Sequence, residues 1–157
     1  VGSGGWLELR NVTLTRGSAH AGGCVFAAED SKFVAVDTVF VDCTSALGGA
    51  VAGYTGSELF FKGRSLLANS TASYGGAVFG ELSTTIVFAN KTRIARCEAS
   101  VNGGGVFARG SVVIRDRAVV THCRASAGFG GGVYGYSASA VALNGSATIE
   151  KCSAEWG

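Results

Sequence analysis

Five times along this 157-residue chain a Gly-Gly pair leads into a small residue and a valine: Gly22–Ala27, Gly48–Gly53, Gly75–Gly80, Gly103–Ala108 and Gly130–Gly135. Successive copies start 26, 27, 28 and 27 residues apart, so nearly the whole sequence is one repeat. A period of this length marks a stacked array, in which each unit buries its apolar face against the next.

A second series runs in phase with the first: Phe40-Val-Asp-Cys43, Leu66-Leu-Ala-Asn69, Ile94-Ala-Arg-Cys97, Val120-Thr-His-Cys123 and Ile149-Glu-Lys-Cys152. A third apolar run lies between them, at 33–36, 59–61, 86–88, 112–114 and 141–143. Turn residues such as Asp37, Gly63, Asn90, Asp116 and Asn144-Gly145 separate the runs. Runs this short, rich in Val, Ile and Phe, read as strands, and no apolar spacing of 3 and 4 residues is sustained. Strands recurring at an even period pair with their counterparts one repeat later, so like residues stack in ladders about 4.8 Å apart. The absence of proline fits, because proline in a stacked strand removes a ladder hydrogen bond. The sequence therefore predicts an all-β fold: a right-handed parallel β-helix of about five coils of 26–29 residues, with three strands per coil. Propeller blades are the rival, but they need about 40 or more residues each. Residues 1–157 read as a single β-helix segment, expected to be a section of a longer protein whose caps lie outside it.

The Gly-Gly-Ala-Val strings at 48–51 and 75–78, with Leu66-Leu67-Ala68-Asn69 in the same coil, resemble the GGA-aliphatic and F-x-x-N repeat of the chlamydial polymorphic outer membrane proteins. Related repeats occur in pectin-lyase-like β-helix surface proteins. The other coils carry cysteine where that family has asparagine. The resemblance covers nearly every residue, and it implies the β-helix fold and a surface-exposed role.

Four of the five asparagines begin N-x-S/T sequons: Asn11, Asn69, Asn90 and Asn144. Asn11, Asn90 and Asn144 fall at one corner of the expected coil and are candidate N-glycosylation sites, since glycans need exposed turns of secreted chains. Asn69 falls on the ladder position otherwise held by cysteine and is expected to face inward, unmodified. The reading is an extracellular or cell-surface protein of the secretory pathway. No stretch of 18 uninterrupted apolar residues is present to span a membrane.

Cys43, Asn69, Cys97, Cys123 and Cys152 are thus expected to form an inward ladder, with Cys24 on a different strand. Stacking brings the Cα atoms of neighbouring cysteines within disulfide range but leaves the Cβ atoms slightly far apart. An inward stack of free thiols is favoured, with one bridge inside the stack as the alternative. Alternation along the strand after Gly-Gly sets Val25, Val51, Val78, Val106 and Val133 on one face and Phe26, Phe79, Phe107 and Tyr134 on the other, with Ala52 as a gap. Both registers are open. The aliphatic core position of the resembled repeat tips the choice toward inward valines and an exposed aromatic contact stripe, suited to partners or sugar rings.

A basic trace follows the sequon corner: Arg10, Lys62, Arg64, Lys91, Arg93, Arg115 and Arg117. It could attract acidic polysaccharide, although a solvated corner is the favoured reading. With a net charge of +2 and no interleaved aromatic platform, nucleic acid is not expected as a partner. Gly130–Gly135 satisfies G-x-G-x-x-G, but no helix follows, and no cofactor is expected. No paired carboxylates, Ser-His-acid set or metal-ligand cluster recurs at converging phases, so no catalytic or metal residue is assigned and an enzyme is not expected. The function expected is a structural or adhesive rod in a cell-surface or filamentous glycoprotein. Its expected partners are other copies or subunits of an extracellular assembly, or glycans. The alternative is a carbohydrate-active or sugar-binding β-helix domain.

Overall fold

The computed structural model describes residues 1–156, and they form a parallel β-solenoid of about six turns. Sheet I stacks Trp6–Arg10, Lys32–Val36, Glu58–Lys62, Thr85–Phe88, Ser111–Ile114 and Ala140–Leu143. Sheet II stacks Thr13–Thr15, Val39–Val41, Leu66–Ala68, Arg93–Ala95, Val119–Thr121 and Thr148–Glu150. Sheet III holds Thr71–Tyr74, Glu98–Asn102, Arg124–Phe129 and Ser153–Trp156, and sheet IV the post-Gly-Gly strands Val25–Ala27, Val51–Gly53, Val78–Gly80, Val106–Ala108 and Val133–Gly135. The chain passes through the sheets in the order I, II, III, IV, with sheet III strands from the third coil onward and no sheet IV strand described in the sixth, and every strand pair is parallel. The expected coil holds, with one more turn than the repeat count. It also gains a fourth strand, which isolated bridges at Thr44 and Leu47 extend into the earlier coils.

The period of two explains the core. Inward positions of sheet I carry Phe33, Leu59, Phe61, Ile86, Phe88, Val112 and Ile114, and those of sheet II carry Phe40, Leu67, Ile94 and Val120, all fully buried. Large side chains stack on large ones, as Phe61 does on Phe88 with ring centroids 5.0 Å apart. The buried side chains that sheet III supplies to the interior are alanines, Ala99 and Ala125. The Gly-Gly corner follows. Gly48 has φ +62, which side-chain-bearing residues rarely adopt. At Gly49 a Cβ would collide with the Gly76 carbonyl of the next coil. The first glycine thus supplies the turn and the second the close approach of stacked chains, which is why the pair recurs together.

The second series slips by one residue in the third coil. Val41 pairs with Ala68, and Ala68 with Ala95, so Ser70 and not Asn69 shares the ladder of Cys43 and Cys97. Asn69 is exposed, with φ +51, and its Oδ1 accepts a hydrogen bond from Arg96 Nε at 3.1 Å. The expectation of a buried Asn69 is therefore corrected. Leu66 and Leu67 both satisfy the apolar position, and a slip of one residue reverses which side chains face inward.

Candidate functional site

At the Gly-Gly corner the backbone turns so that the outer faces of sheets III and IV meet in a concave angle. Three ladders line it. The floor is the outward row of sheet IV: Phe26, Ala52, Phe79, Phe107 and Tyr134, each paired with the next. One wall is the row just before Gly-Gly: Leu47, Tyr74 and Asn102, continued by Phe129 and Trp156. The opposite wall is the residue after each sheet IV strand: Tyr54, Glu81, Arg109 and Tyr136. All four tyrosines of the chain lie on these rows.

The valines of sheet IV do face inward: Val51, Val78 and Val106 are fully buried in the main core. The aromatic row faces outward, as that register requires, yet it is not an exposed stripe. Phe79 and Phe107 retain only 6% and 4% of their exposure, in a second apolar cluster with Ala52, packed against by Leu47, Tyr74 and Tyr134. Phe26 is the exposed member and stands edge-on to Tyr54 at 5.0 Å. The single-strand alternation was sufficient to choose a face. What it could not show is that a neighbouring sheet folds over that face.

The rings are ordered by the ladder spacing. Phe79 and Phe107 stack with centroids 5.4 Å apart, Tyr74 meets Phe107 edge-on at 5.3 Å, and Tyr136 stacks on Phe107 at 6.3 Å. Above this floor opens a cleft of about 400 Å³. Its polar rim comes from Asn102, Glu81 and Arg109. Asn102 Oδ1 accepts the Phe129 N–H at 2.8 Å, which fixes the amide and leaves its NH₂ directed elsewhere. The Arg109 guanidinium lies 5.3 Å from the centre of the Tyr136 ring. Glu81 neighbours Arg109 on the same row, yet no ion pair joins them among the described residues. Planar polar groups over an apolar aromatic floor can hydrogen-bond hydroxyl groups while the floor packs against C–H surfaces.

The cysteines divide into two groups. Cys24 and Cys43 form a disulfide with Cα atoms 5.8 Å apart, a pairing across the core rather than along the ladder. The expectation that Cys43 is one of a stack of free thiols, or bridged within that stack, is therefore corrected: it is inward, but bonded to Cys24. Nineteen residues separate the two in sequence, so their phases gave no hint that they face each other. Cys97, Cys123 and Cys152 are free and stack on successive coils, the first two buried. The hydrogen bond from Cys123 holds the Cys97 thiol below its ordinary range, against burial. At Cys123 the hydrogen bond from Cys152 favours the thiolate. Its own bond to Cys97 and its burial outweigh that and push it up to about 12. Cys152 is pushed up by its bond to Cys123 and by burial.

Asn11 and Asn90 are exposed at the turn from sheet I to sheet II, with φ of 53 and 61. Asn144 is exposed one residue earlier in the same turn, where Gly145 takes the positive φ. Asn90 Oδ1 accepts the Gly63 N–H at 3.2 Å, so the corner asparagine also ties two coils together. Among the described residues no group of three or more His, Cys, Asp or Glu side chains is placed to hold a metal ion. No helix long and apolar enough to cross a membrane is found among them.

The class that fold and site define is a parallel β-solenoid with a lateral aromatic groove. Comparison with protein-family models, with curated proteins and with solved structures finds no match to this chain.

Proposed function

We propose that this chain is a rigid segment of an extracellular or cell-surface filamentous glycoprotein, and that it adheres through its lateral groove to a sugar chain. One observation carries the reading: the three-row groove holds every tyrosine of the chain beside a rim of Asn102, Glu81 and Arg109. Aromatic and arginine side chains concentrated in a concave site are the usual composition of a contact surface. A groove that runs along the rod suits a linear ligand, each coil presenting one more rung. The Cys24–Cys43 disulfide accords with an oxidising compartment, as do the exposed sequons at Asn11, Asn90 and Asn144. The resemblance to polymorphic outer membrane protein repeats points to the same surface-exposed role.

The alternative, hydrolysis or elimination on a polysaccharide, draws less support from this groove. Its cleft is lined by a single carboxylate, Glu81, whereas paired-carboxylate hydrolysis requires two facing groups. The reading is tested on a glycan array with the native protein and with Tyr74→Ala and Tyr136→Ala. Binding of a defined saccharide, reduced at least tenfold by each substitution in a chain that circular dichroism shows still folded, is the expected result. A native protein that retains no glycan, or binding indifferent to both substitutions, would defeat it.

A further inference from the structure

The cations of this chain are segregated in a way that its net charge of +2 conceals. At the turn between sheets I and II, Lys62, Arg64, Lys91, Arg93, Arg115 and Arg117 stand on three consecutive coils, and the one acidic side chain among them is Asp116. The Lys91 N–H donates to the Gly63 carbonyl and the Arg117 N–H to that of Asn90, which puts Arg64, Lys91 and Arg117 on one ladder. Ladder neighbours stand about 4.8 Å apart. All three are exposed. Across sheet II, Arg96, His122 and Lys151 form a second exposed row on successive coils, each with φ +53. The strands of sheet II between the rows are three residues long, about 10 Å.

Two of the nearby carboxylates are turned to the backbone rather than to the cations. Asp116 Oδ2 accepts the Asn90 N–H at 2.9 Å, and Asp37 Oδ1 accepts the Arg64 N–H at 2.7 Å. The ion pairs found among the described residues, Arg10–Glu8 and Lys32–Glu58, lie on sheet I. The strip therefore presents an excess of exposed cations over the carboxylates beside them, Asp37, Asp42, Asp116 and Glu150, and none of those cations is held in an ion pair among the described residues.

We propose that this double row binds a linear anionic polysaccharide, laid along sheet II parallel to the solenoid axis. Straight rows at a fixed pitch match a polymer carrying closely spaced sulfate or carboxylate groups. Single-stranded nucleic acid would need rings to stack its bases, and the sheet II strands contain Val, Leu, Ala, Thr, Arg and, in the last coil, Glu150 outward but no aromatic side chain there. A membrane surface would be favoured by large exposed apolar side chains beside the cations, and the rows carry none. The site is separate from the aromatic groove and stands or falls independently of it.

The test uses heparin as the probe, with the protein carrying its native glycans. The strip variant is Arg64→Ser/Lys91→Ser/Arg117→Ser, since Ser146 continues that ladder in the next coil. The control lowers the net charge equally at exposed positions by the entry to sheet I, as Lys32→Ser/Leu82→Glu/Ala140→Glu. The strip variant should bind heparin at least tenfold more weakly, with a salt-dependence slope lower by about 2 to 3. The control should stay within twofold of native. Single Lys91→Glu, at an exposed position, gives the same direction of change should the triple variant melt early. Equal weakening of both triple variants, no heparin binding by the native protein, or equally tight binding to anionic phospholipid vesicles would each overturn the proposal.

Discussion

Because the solenoid repeats its geometry, a bond found in one coil can be transferred to another. Cys24 lies in the ladder of Ala50 and Ala77, and Cys43 in that of Ser70 and Cys97. Ala77 and Cys97 are therefore Cys24 and Cys43 displaced by two coils, both buried. Ala77→Cys should form a second disulfide with Cys97 without moving the backbone. The closed loop has nearly the length of the native one, whose ends are 19 residues apart. Chain-entropy reasoning gives about 3 kcal/mol for a loop of that size. For a domain of this length that corresponds to a rise of about 6 to 12 °C in melting temperature. Thiol titration in denaturant supplies a count that does not depend on stability. The native chain has three free thiols, so the variant shows two if the bond forms and four if it does not. The melting gain should vanish on reduction. Four thiols, with a loss of about 1 to 3 kcal/mol from the added sulfur in a packed core, would refute the transfer of register on which the calculation rests.

Asn69 in the left-handed region predicts that Asn69→Ala costs about 1 kcal/mol by chemical denaturation and that Asn69→Gly does not destabilise. A larger loss for both would restore the inward placement. Gly49→Ala should cost about 3 kcal/mol or more, or prevent folding, because the new Cβ meets backbone of the next coil and no side chain can yield; circular dichroism melting reads this directly. Cys123 is raised from 9.0 to about 12 in the folded chain, so its contribution is intact below pH 9 and is lost as pH rises toward 12. Denaturation midpoints should fall between pH 8 and pH 11, and Cys123→Val should flatten that decline.

The period of the Gly-Gly pair made the architecture legible, since stacking turns a sequence period into a ladder. Sheet III was not legible because its inward residues are alanines and its outward ones polar, a pattern that reads as a turn. The slip at Leu66-Leu67 arose because two adjacent leucines satisfy the same apolar position, and only hydrogen-bond register distinguishes them. For the groove, alternation indicated that Phe79 and Phe107 oppose the valines. It could not indicate that Tyr74 and Leu47 close over them, because those residues precede a bend whose direction is tertiary. The Cys24–Cys43 bond was hidden for a related reason: its partners occupy different phases and meet only across the interior.

The orientation of the backbone hydrogen bonds has a mechanical consequence. They run along the solenoid axis, coil to coil, so tension applied through the chain loads them one coil at a time and peels the rod like a spring. Each 27-residue coil then releases about 90 Å of extended chain. The Cys24–Cys43 crosslink withholds its 19-residue loop from the first of these steps. Such a rod is stiff in bending and yields in uniform increments under axial pull, lengthening by whole coils while the remaining ones keep their shape.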